Sequence, residues 1–317
     1  MLSIPGWHWA ILIGWFSLLL ILDLVVFHRK DKEPSLKAAI WQTVMWISLG
    51  VALGFVMWPL YGAKASSEYF SGFLIEKSLS IDNVFVWAVI FGFFKIPRKY
   101  QHRILFWGIF GALVLRAIFI FAGVAILQRF EAAFLILGGL LIFSGINIFV
   151  GSGEQFDPET SRGIKLLQKI VPISKKLNGH HFFITENGKK HATILLLALL
   201  AIEFTDVIFA ADSVPAILAV AQDPFIIFAS NAAAILGLRA LYFVFDVLKD
   251  KFWLLNKGLG IILLGVGAKM LVSPSEVLEW PWFGYHVSTN LSLALILLIL
   301  AASITASLVI TPKSKSD

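Results

Sequence analysis

Nine stretches of this sequence are apolar over about 20 residues, the length that an α-helix needs to cross the hydrocarbon core of a bilayer. They lie at about 7–27, 38–58, 69–94, 103–127, 132–150, 191–221, 225–247, 257–273 and 288–310. The mean hydropathy is +0.84, and 15% of the residues are charged, against about 25% in soluble proteins. We therefore predict an all-α membrane protein with about nine transmembrane helices in a single transmembrane domain, 1–317.

Lys and Arg are unevenly divided between the predicted loops, and this division predicts the orientation of the chain. Of the 26 Lys and Arg residues, 20 fall on one side of the membrane, and the opposite side holds Lys64 and Arg129. The N-terminus is therefore expected outside and the C-terminus in the cytoplasm. No Lys or Arg precedes the first stretch, so we expect a span there and not a cleaved signal peptide. The net charge of +6 is a topology signal and does not indicate nucleic-acid binding.

One long polar segment, 151–190, is predicted to be a cytoplasmic loop. Ile164, Leu167 and Val171 share a helical face, which is typical of an interfacial amphipathic helix that Pro172 would end. A plain connector is the alternative, and the residues do not distinguish the two.

Three pairs of similar segments divide the chain into two halves. LVLRAIFIF at 113–121 matches LGLRALYFV at 236–244, SGINIFV at 144–150 matches VGAKMLV at 266–272, and EKSLSIDNVFV at 76–86 parallels DVIFAADSVPA at 206–216. Repeat one is therefore 69–150 and repeat two is 191–273, with the last span at 288–310. Because each copy has three spans, the copies face opposite ways. This inverted 3+3 arrangement is typical of secondary transporters, whose sites lie at the repeat interface.

Five carboxylates interrupt the third and sixth spans: Glu76, Asp82, Glu203, Asp206 and Asp212. Each costs about 2.5–3.5 kcal/mol at a helix centre, so they must face cations, water, one another or an ion. At about 1.5 Å per residue, Glu76 lies about 10 Å and Asp206 about 22 Å from the outer ends of their spans. This estimate predicts that these two acids occupy opposite leaflets and that Asp82 and Asp212 lie near the midplane.

Cations and neutral oxygens lie near the same levels as these acids. The intramembrane cations, which we interpret as charge-balancing, are Lys77, Arg116, Arg239 and Lys269. Neutral oxygens come from Asn83, Ser213, Thr205 and Asn231, and Asn231 and Asp23 are candidates for an access path. A closed network of ion pairs that only joins helices is one interpretation. Oxygen ligands without any Cys suit a hard divalent cation such as Mn²⁺, Mg²⁺ or Ca²⁺, and a proton relay is another use of such acids.

The acidic segments also resemble a known family. GFLIEKSLSIDNVFV at 72–86, YQHRILFWGIFGALVLRAIFIF at 100–121, SNAAAILGLRALYF at 230–243 and the long run from HFFITENGKK to SVPAILAV at 181–220 are similar to the TerC family of integral membrane proteins, specifically its Alx-like branch. The similarity covers nearly the whole chain and extends to each of the acids in the third and sixth spans.

The resemblance implies a multi-pass protein of a bacterial-type inner membrane that exports metal, with Mn²⁺ as the transported ion and no cofactor. It also implies relation to the LysE-type exporters, which have inverted repeats, and to tellurium-resistance operons. Together with the pattern of acids, it favours an ion path through Glu76, Asp82, Asp206 and Asp212, assisted by Asn83, Ser213 and Glu203. No enzyme activity is expected.

Two other functions remain open at this point. A membrane scaffold, or the redox modulator that some relatives are named for, would act through soluble stress-response or secretion partners, although a chain without Cys gives direct redox action no chemical support. Export of another cation, such as Ca²⁺ or a protonated amine, is the second. Besides the cation and membrane lipid, a homo-oligomer or secretion-machinery partners are compatible with the sequence.

Overall fold

A computed structural model describes residues 4–27, 35–129, 133–150, 173–174, 181–186, 189–221, 223–248, 254–272 and 289–309. The described helices are α1 (Gly6–Phe27), α2 (Leu36–Phe93), α3 (Arg98–Arg129), α4 (Ala133–Val150), α5 (Ile194–Leu218), α6 (Pro224–Ile235), α7 (Leu238–Leu248), α8 (Leu255–Val272) and α9 (Thr289–Val309). The strands are β1 (Ile173–Ser174), β2 (Phe183–Glu186) and β3 (Lys189–Thr193).

Several of these helices are long and apolar enough to cross a membrane, which confirms the prediction of a helical, multi-pass membrane protein. Four helices qualify by length and hydropathy among the described residues, at Gly6–Asp23, Leu36–Ser80, Arg98–Ile126 and Asn290–Val309. The bent pair α6 and α7 would make a fifth. The count of nine spans stays a prediction, since a helix such as α5 carries three acids.

The long helix α2 reverses direction at Gly62, where the backbone has φ 91° and ψ 169°. The Tyr69 hydroxyl donates to the Gly50 carbonyl oxygen at 2.8 Å, although 19 residues would span about 28 Å in a straight helix. The segments 36–61 (α2a) and 63–93 (α2b) are therefore antiparallel, as predicted for the second and third spans. The structure corrects the boundary, because α2b begins at 63 and not at 69.

The predicted span at 225–247 is not one continuous helix. It divides into α6 and α7, whose axes differ by 41°. Gly237 lies between them with φ 81°, a conformation that favours glycine. The sequence analysis predicted a span here but not the break within it, because a single glycine in an apolar run gives only a weak sequence signal.

The described part of the long polar segment forms a small sheet with strand order β1-β3-β2. Strand β2 pairs antiparallel with β3 from Phe183–Ala192 to Glu186–Lys189, and β1 pairs parallel with β3. Residues 191–193 belong to β3, so the helix expected from 191 begins at Ile194. The amphipathic helix considered around 164–171 lies outside the described residues.

Helices α4 and α8 pack closely through glycines that have matching positions in the two predicted repeats. A Cβ atom on Gly145 would lie 3.0 Å from the Gly260 carbonyl oxygen, and one on Gly267 would lie 2.9 Å from the Gly138 carbonyl oxygen. Small residues allow the backbones of membrane helices to approach in this way. The two contacts are reciprocal. Gly138 faces Gly267, and Gly145 faces Gly260, across antiparallel helices.

Candidate cation site

Four helices bring polar side chains together in the interior of the bundle. Helix α2b contributes Glu76 and Asn83, α3 contributes Arg116, α5 contributes Asp206, and α6 contributes Asn231. Each of these side chains is buried, and Glu76 is fully inaccessible to solvent. Because polar groups inside a membrane protein are expensive unless paired, their convergence marks this cluster as the candidate site.

Arg116 lies between the two carboxylates. Its Nη1 forms an ion pair with Oε2 of Glu76, and its Nε lies 3.8 Å from Oδ2 of Asp206. One guanidinium thus faces two buried acids that come from different predicted repeats. Glu76 and Asp206 occupy matching positions in the similar acidic segments, so the structure brings together two acids that the sequence similarity relates.

Two asparagines link the carboxylates to the neighbouring helices. Asn231 donates from Nδ2 to Oε2 of Glu76 at 3.1 Å, and Asn83 donates from Nδ2 to Oδ1 of Asp206 at 3.3 Å. In each pair the amide comes from one predicted repeat and the acid from the other. Ser80 also donates to Oε1 of Glu76, at 3.2 Å.

Three buried neutral oxygens on the helices that form this cluster accept no hydrogen bond within the described part of the chain. They are Oδ1 of Asn83, Oδ1 of Asn231 and the buried hydroxyl oxygen of Ser213 on α5. Each asparagine uses its amide nitrogen on an acid and leaves its carbonyl oxygen unpaired. A buried acceptor without a donor is unfavourable, so these oxygens are available to a ligand that carries positive charge.

Asp82 and Asp212 belong to α2b and α5, as predicted. Their side chains lie outside the described residues, so the prediction that they line the ion path stays a prediction.

The other predicted cations do not join the cluster. Arg239 forms an ion pair with Asp23 of α1. Lys77 donates to the backbone oxygens of Ala234 and Leu236 at 2.9 and 3.4 Å. Lys269 donates to Ser292 on α9 at 3.1 Å. Of the four, Arg116 alone contacts the site acids in the described structure.

Glu203 lies one helical turn from Asp206 on α5 but faces a different neighbour. Its half-buried carboxylate packs directly on Gly111 of α3, where any Cβ atom would overlap it. No described donor or cation pairs with it, in contrast to Glu76 and Asp206. The Glu203 side chain therefore lies at the contact between α3 and α5, beside the cluster.

The expectation that Glu76 and Asp206 occupy opposite leaflets was wrong, because both contact one guanidinium. The observed helix boundaries explain the error. Glu76 lies 13 residues from the start of α2b, and Asp206 lies 12 residues from the end of α5. At about 1.5 Å per residue, both are about 18–20 Å from the ends of their helices.

Ser80 is a site residue that the sequence analysis missed. It follows Glu76 by four residues in the same helix, and this spacing places two side chains on one face. The spacing was therefore the signal that could have identified it.

The arrangement has the chemistry of a hard-cation site, with carboxylate, amide and hydroxyl oxygens. No three His, Asp or Glu residues converge within the described ranges, and Arg116 occupies the position between the two acids. A cation at this position would have to displace the guanidinium or recruit further oxygens.

Comparisons with known proteins place the chain in a family. The profile described as "Integral membrane protein TerC family" matches residues 61–315. A membrane protein of Myxococcus xanthus is 44% identical over 96% of this chain and 92% of its own. A Salmonella typhi protein named for a membrane-bound redox modulator, Alx, is 35% identical over 90% of this chain and 89% of its own.

A chloroplast protein of Arabidopsis thaliana, named thylakoid membrane protein TERC, is 35% identical over 88% of this chain and 70% of its own. None of these three names describes an enzyme. No solved structure matches the chain. The profile covers α2b to α9, including every described residue of the acidic cluster, and the named relatives include Alx proteins. The chain therefore belongs to the TerC family of integral membrane proteins, within its Alx-like branch.

Proposed function

We propose that this protein exports a divalent metal cation, with Mn²⁺ as the preferred ion, along a path that includes Glu76 and Asp206. The observation that carries the proposal is the shared guanidinium of Arg116, which faces two buried carboxylates beside unpaired amide oxygens. Buried ion pairs stabilise a protein no better than apolar packing does. A network that served only to join helices would therefore be expected to pair its buried acceptors.

The inverted 3+3 repeat is part of the proposal, and reciprocal packing supports it. Two-fold symmetry makes contacts reciprocal. When residue A of one repeat contacts residue B of the other, the copy of B in the first repeat contacts the copy of A in the second. The contacts of Gly145 with Gly260 and of Gly267 with Gly138 follow this pattern, since each residue in the first repeat is 122 positions from its equivalent. The acids of the site then lie at the repeat interface, where transporter sites are found.

Arg116 is proposed to act as an internal substitute for the transported ion. In the state described here its guanidinium balances Glu76 and Asp206. An arriving cation would take over this role and receive the free oxygens of Asn83, Asn231 and Ser213. Asp82 and Asp212 are proposed as the further carboxylates of the path, with Glu203 on the cytoplasmic side.

Mn²⁺ flux into liposomes that contain the purified protein tests the proposal. We expect Glu76→Gln and Asp206→Asn, and likewise Asp82→Asn and Asp212→Asn, to lower the flux at least about tenfold, which corresponds to about 1.4 kcal/mol. Glu68→Gln is the matched control, because Glu68 is a buried acid of α2b that pairs with Lys64, away from the cluster. Wild-type flux in all four site variants contradicts the proposal.

The identity of the ion is tested by competition in the same vesicles. If Mn²⁺ is the preferred ion, excess unlabelled Mn²⁺ should inhibit the measured flux more strongly than the same excess of Mg²⁺ or Ca²⁺, although oxygen ligands suit all three ions. Stronger inhibition by Ca²⁺ would make Ca²⁺ the substrate, and inhibition by a protonated amine would indicate an organic cation.

A scaffold that recruits soluble partners is the second candidate. The small sheet between α4 and α5 favours it, because this segment contains ordered structure and not only a connector. The redox-modulator name of the Salmonella typhi relative suggests the same class of function. Replacement of 151–190 by a short polar linker separates the two, since a scaffold loses its function and an exporter retains metal flux.

The proposed location is the inner membrane of a bacterial-type cell, with the N-terminus outside and the C-terminus in the cytoplasm. The distribution of Lys and Arg carries this part of the proposal.

A further inference from the structure

Lys77 binds the end of a helix inside the bundle. Its ammonium group donates to the carbonyl oxygens of Ala234 and Leu236, at the point where α6 ends. The last carbonyls of a helix have no partner within it and form the negative end of its dipole. Gly237, with φ 81°, follows immediately and turns the chain into α7. Lys77 therefore caps a helix that stops short inside the protein.

The residue before Lys77 binds the same helix one turn earlier. Glu76 accepts a hydrogen bond from Asn231, three residues before Ala234. Residues three apart lie on one face of a helix. Glu76 and Lys77, which are neighbours on α2b, thus bind α6 at two positions one turn apart. Glu76 binds through its carboxylate and Lys77 through its ammonium group.

A third contact continues this series along both helices. A Cβ atom on Gly72, one turn before Glu76, would lie 2.7 Å from Oγ of Ser230. The contacts advance together, from Gly72 with Ser230 to Lys77 with Ala234, so α2b and α6 run parallel. Such a series fixes both the rotation of α6 and its position along α2b.

The contacts of Lys77 differ from those expected for a balancing charge. No described carboxylate forms an ion pair with it, whereas Arg116 pairs with both site acids. An ammonium group at this depth is costly unless it finds acceptors, and two of its donors are used on α6. Two donors of its ammonium group thus bind the broken end of this helix.

We propose that Lys77 is a positioning residue that holds the end of α6 so that Asn231 stays on Glu76. This inference rests on the proposed function only in that Glu76 belongs to the cation path. Without Lys77, the last turn of α6 has uncapped carbonyls next to the turn at Gly237, and its register against α2b is lost. Asn231 then no longer orients the carboxylate, and the affinity for the cation falls.

A disulfide between α2b and α6 measures this register without any transport assay. The sequence has no Cys, so the double variant Gly72→Cys, Ser230→Cys would contain the only two. A Cβ atom at 72 lies 3.3 Å from Cβ of Ser230, close to the 3.5–4.5 Å of disulfides, so this pair should oxidise readily. A second pair, Gly258→Cys with Ser303→Cys between α8 and α9, serves as the control.

Lys77→Met removes the donors, and Lys77→Arg keeps a cation that can bind both carbonyls. We expect Lys77→Met to lower the rate of the 72–230 cross-link at least about fivefold, because it removes a buried charge-assisted hydrogen bond. The rate of the 258–303 cross-link should not change. Lys77→Arg should restore most of the rate. In Mn²⁺ flux, Lys77→Met should raise KM more than it lowers the maximal rate, and Lys77→Arg should reverse this.

An unchanged 72–230 cross-link in Lys77→Met overturns the inference, even if transport is lost. Absence of Mn²⁺ flux from the wild type contradicts the proposed function but leaves the cross-link test intact. If the Cys pair prevents folding, hydrogen exchange of residues 224–235 replaces it, with Lys77→Met and wild type compared. Faster exchange confined to the end of α6 supports the positioning role, and equal protection overturns it.

Discussion

Asp23 and Arg239 form a buried ion pair that joins the first helix of the chain to the first turn of α7. Arg239 also donates to the backbone oxygen of Asp23 at 3.3 Å. Arg239 occupies the position in the segment 236–244 that Arg116 occupies in the similar segment 113–121. The two arginines have different partners, because Arg116 binds acids of the repeats, whereas Arg239 binds an acid of α1, outside the residues matched by the family profile.

We predict that Asp23→Asn destabilises the protein by about 3–5 kcal/mol, because it leaves Arg239 buried without its counter-charge. The measurement is the free energy of unfolding in detergent. Asp23→Asn combined with Arg239→Met should recover part of the loss, since the double variant no longer contains an unpaired charge. Strictly additive effects of the two substitutions would show that the residues are not coupled.

Arg116→Met should make the protein depend on metal for its stability. Removal of the guanidinium leaves Glu76 and Asp206 without a described cation, and we expect a loss of about 3–5 kcal/mol. A cation that binds the folded state stabilises it by about 2.7 kcal/mol at 100 times its Kd. Mn²⁺ should therefore raise the melting temperature of Arg116→Met more than that of the wild type.

The control for this experiment is Glu76→Gln combined with Arg116→Met. It removes one of the two carboxylates that would hold the ion, so the response of its melting temperature to Mn²⁺ should be much smaller. An equal response in both variants would place the ion elsewhere in the protein.

Gly111→Ala should impair transport through Glu203. The new methyl group overlaps the position of the Glu203 carboxylate, which must move. We expect Gly111→Ala and Glu203→Gln each to lower Mn²⁺ flux about tenfold (about 1.4 kcal/mol), and their combination to have little further effect. Gly92→Ala is the matched control in a helix, because no atom lies within 4 Å of its built Cβ. Additive losses would indicate that Gly111 acts on something other than Glu203.

Labelling of single introduced cysteines tests the predicted orientation, because the chain has no Cys of its own. The side chain of Lys64 is 84% exposed beside the reversal in α2, and Lys99 is exposed at the start of α3. A membrane-impermeant maleimide added to intact cells should label Lys64→Cys and should label Lys99→Cys only after permeabilisation. The opposite pattern would invert the proposed topology.

The sequence predicted most helices to within a few residues, since an apolar run of membrane length has few other structures available to it. It also selected Glu76 and Asp206, because carboxylates inside such runs are rare. The partners of these acids were less predictable. Arg116 and Arg239 occupy equivalent positions in similar segments, and only the packing of α1 determines that one of them binds Asp23.

The features that the sequence analysis failed to predict were mainly short and irregular. The strands β2 and β3 lie in a polar segment and were not predicted, although Asn187-Gly188 between them is a strong hairpin signal. The break between α6 and α7 lies at Leu236 and Gly237, and a lone glycine is common in unbroken membrane helices.

The turn at Gly62 has a consequence for how this chain enters a bilayer. With φ 91° and ψ 169°, the backbone there is in a region that only glycine adopts without strain. A side chain at this position would strain the turn, whereas a straight helix over the same 58 residues would be about 87 Å long, almost three times the thickness of the hydrocarbon layer. The reversal at one glycine therefore folds this segment back, so that both of its halves fit within a single bilayer.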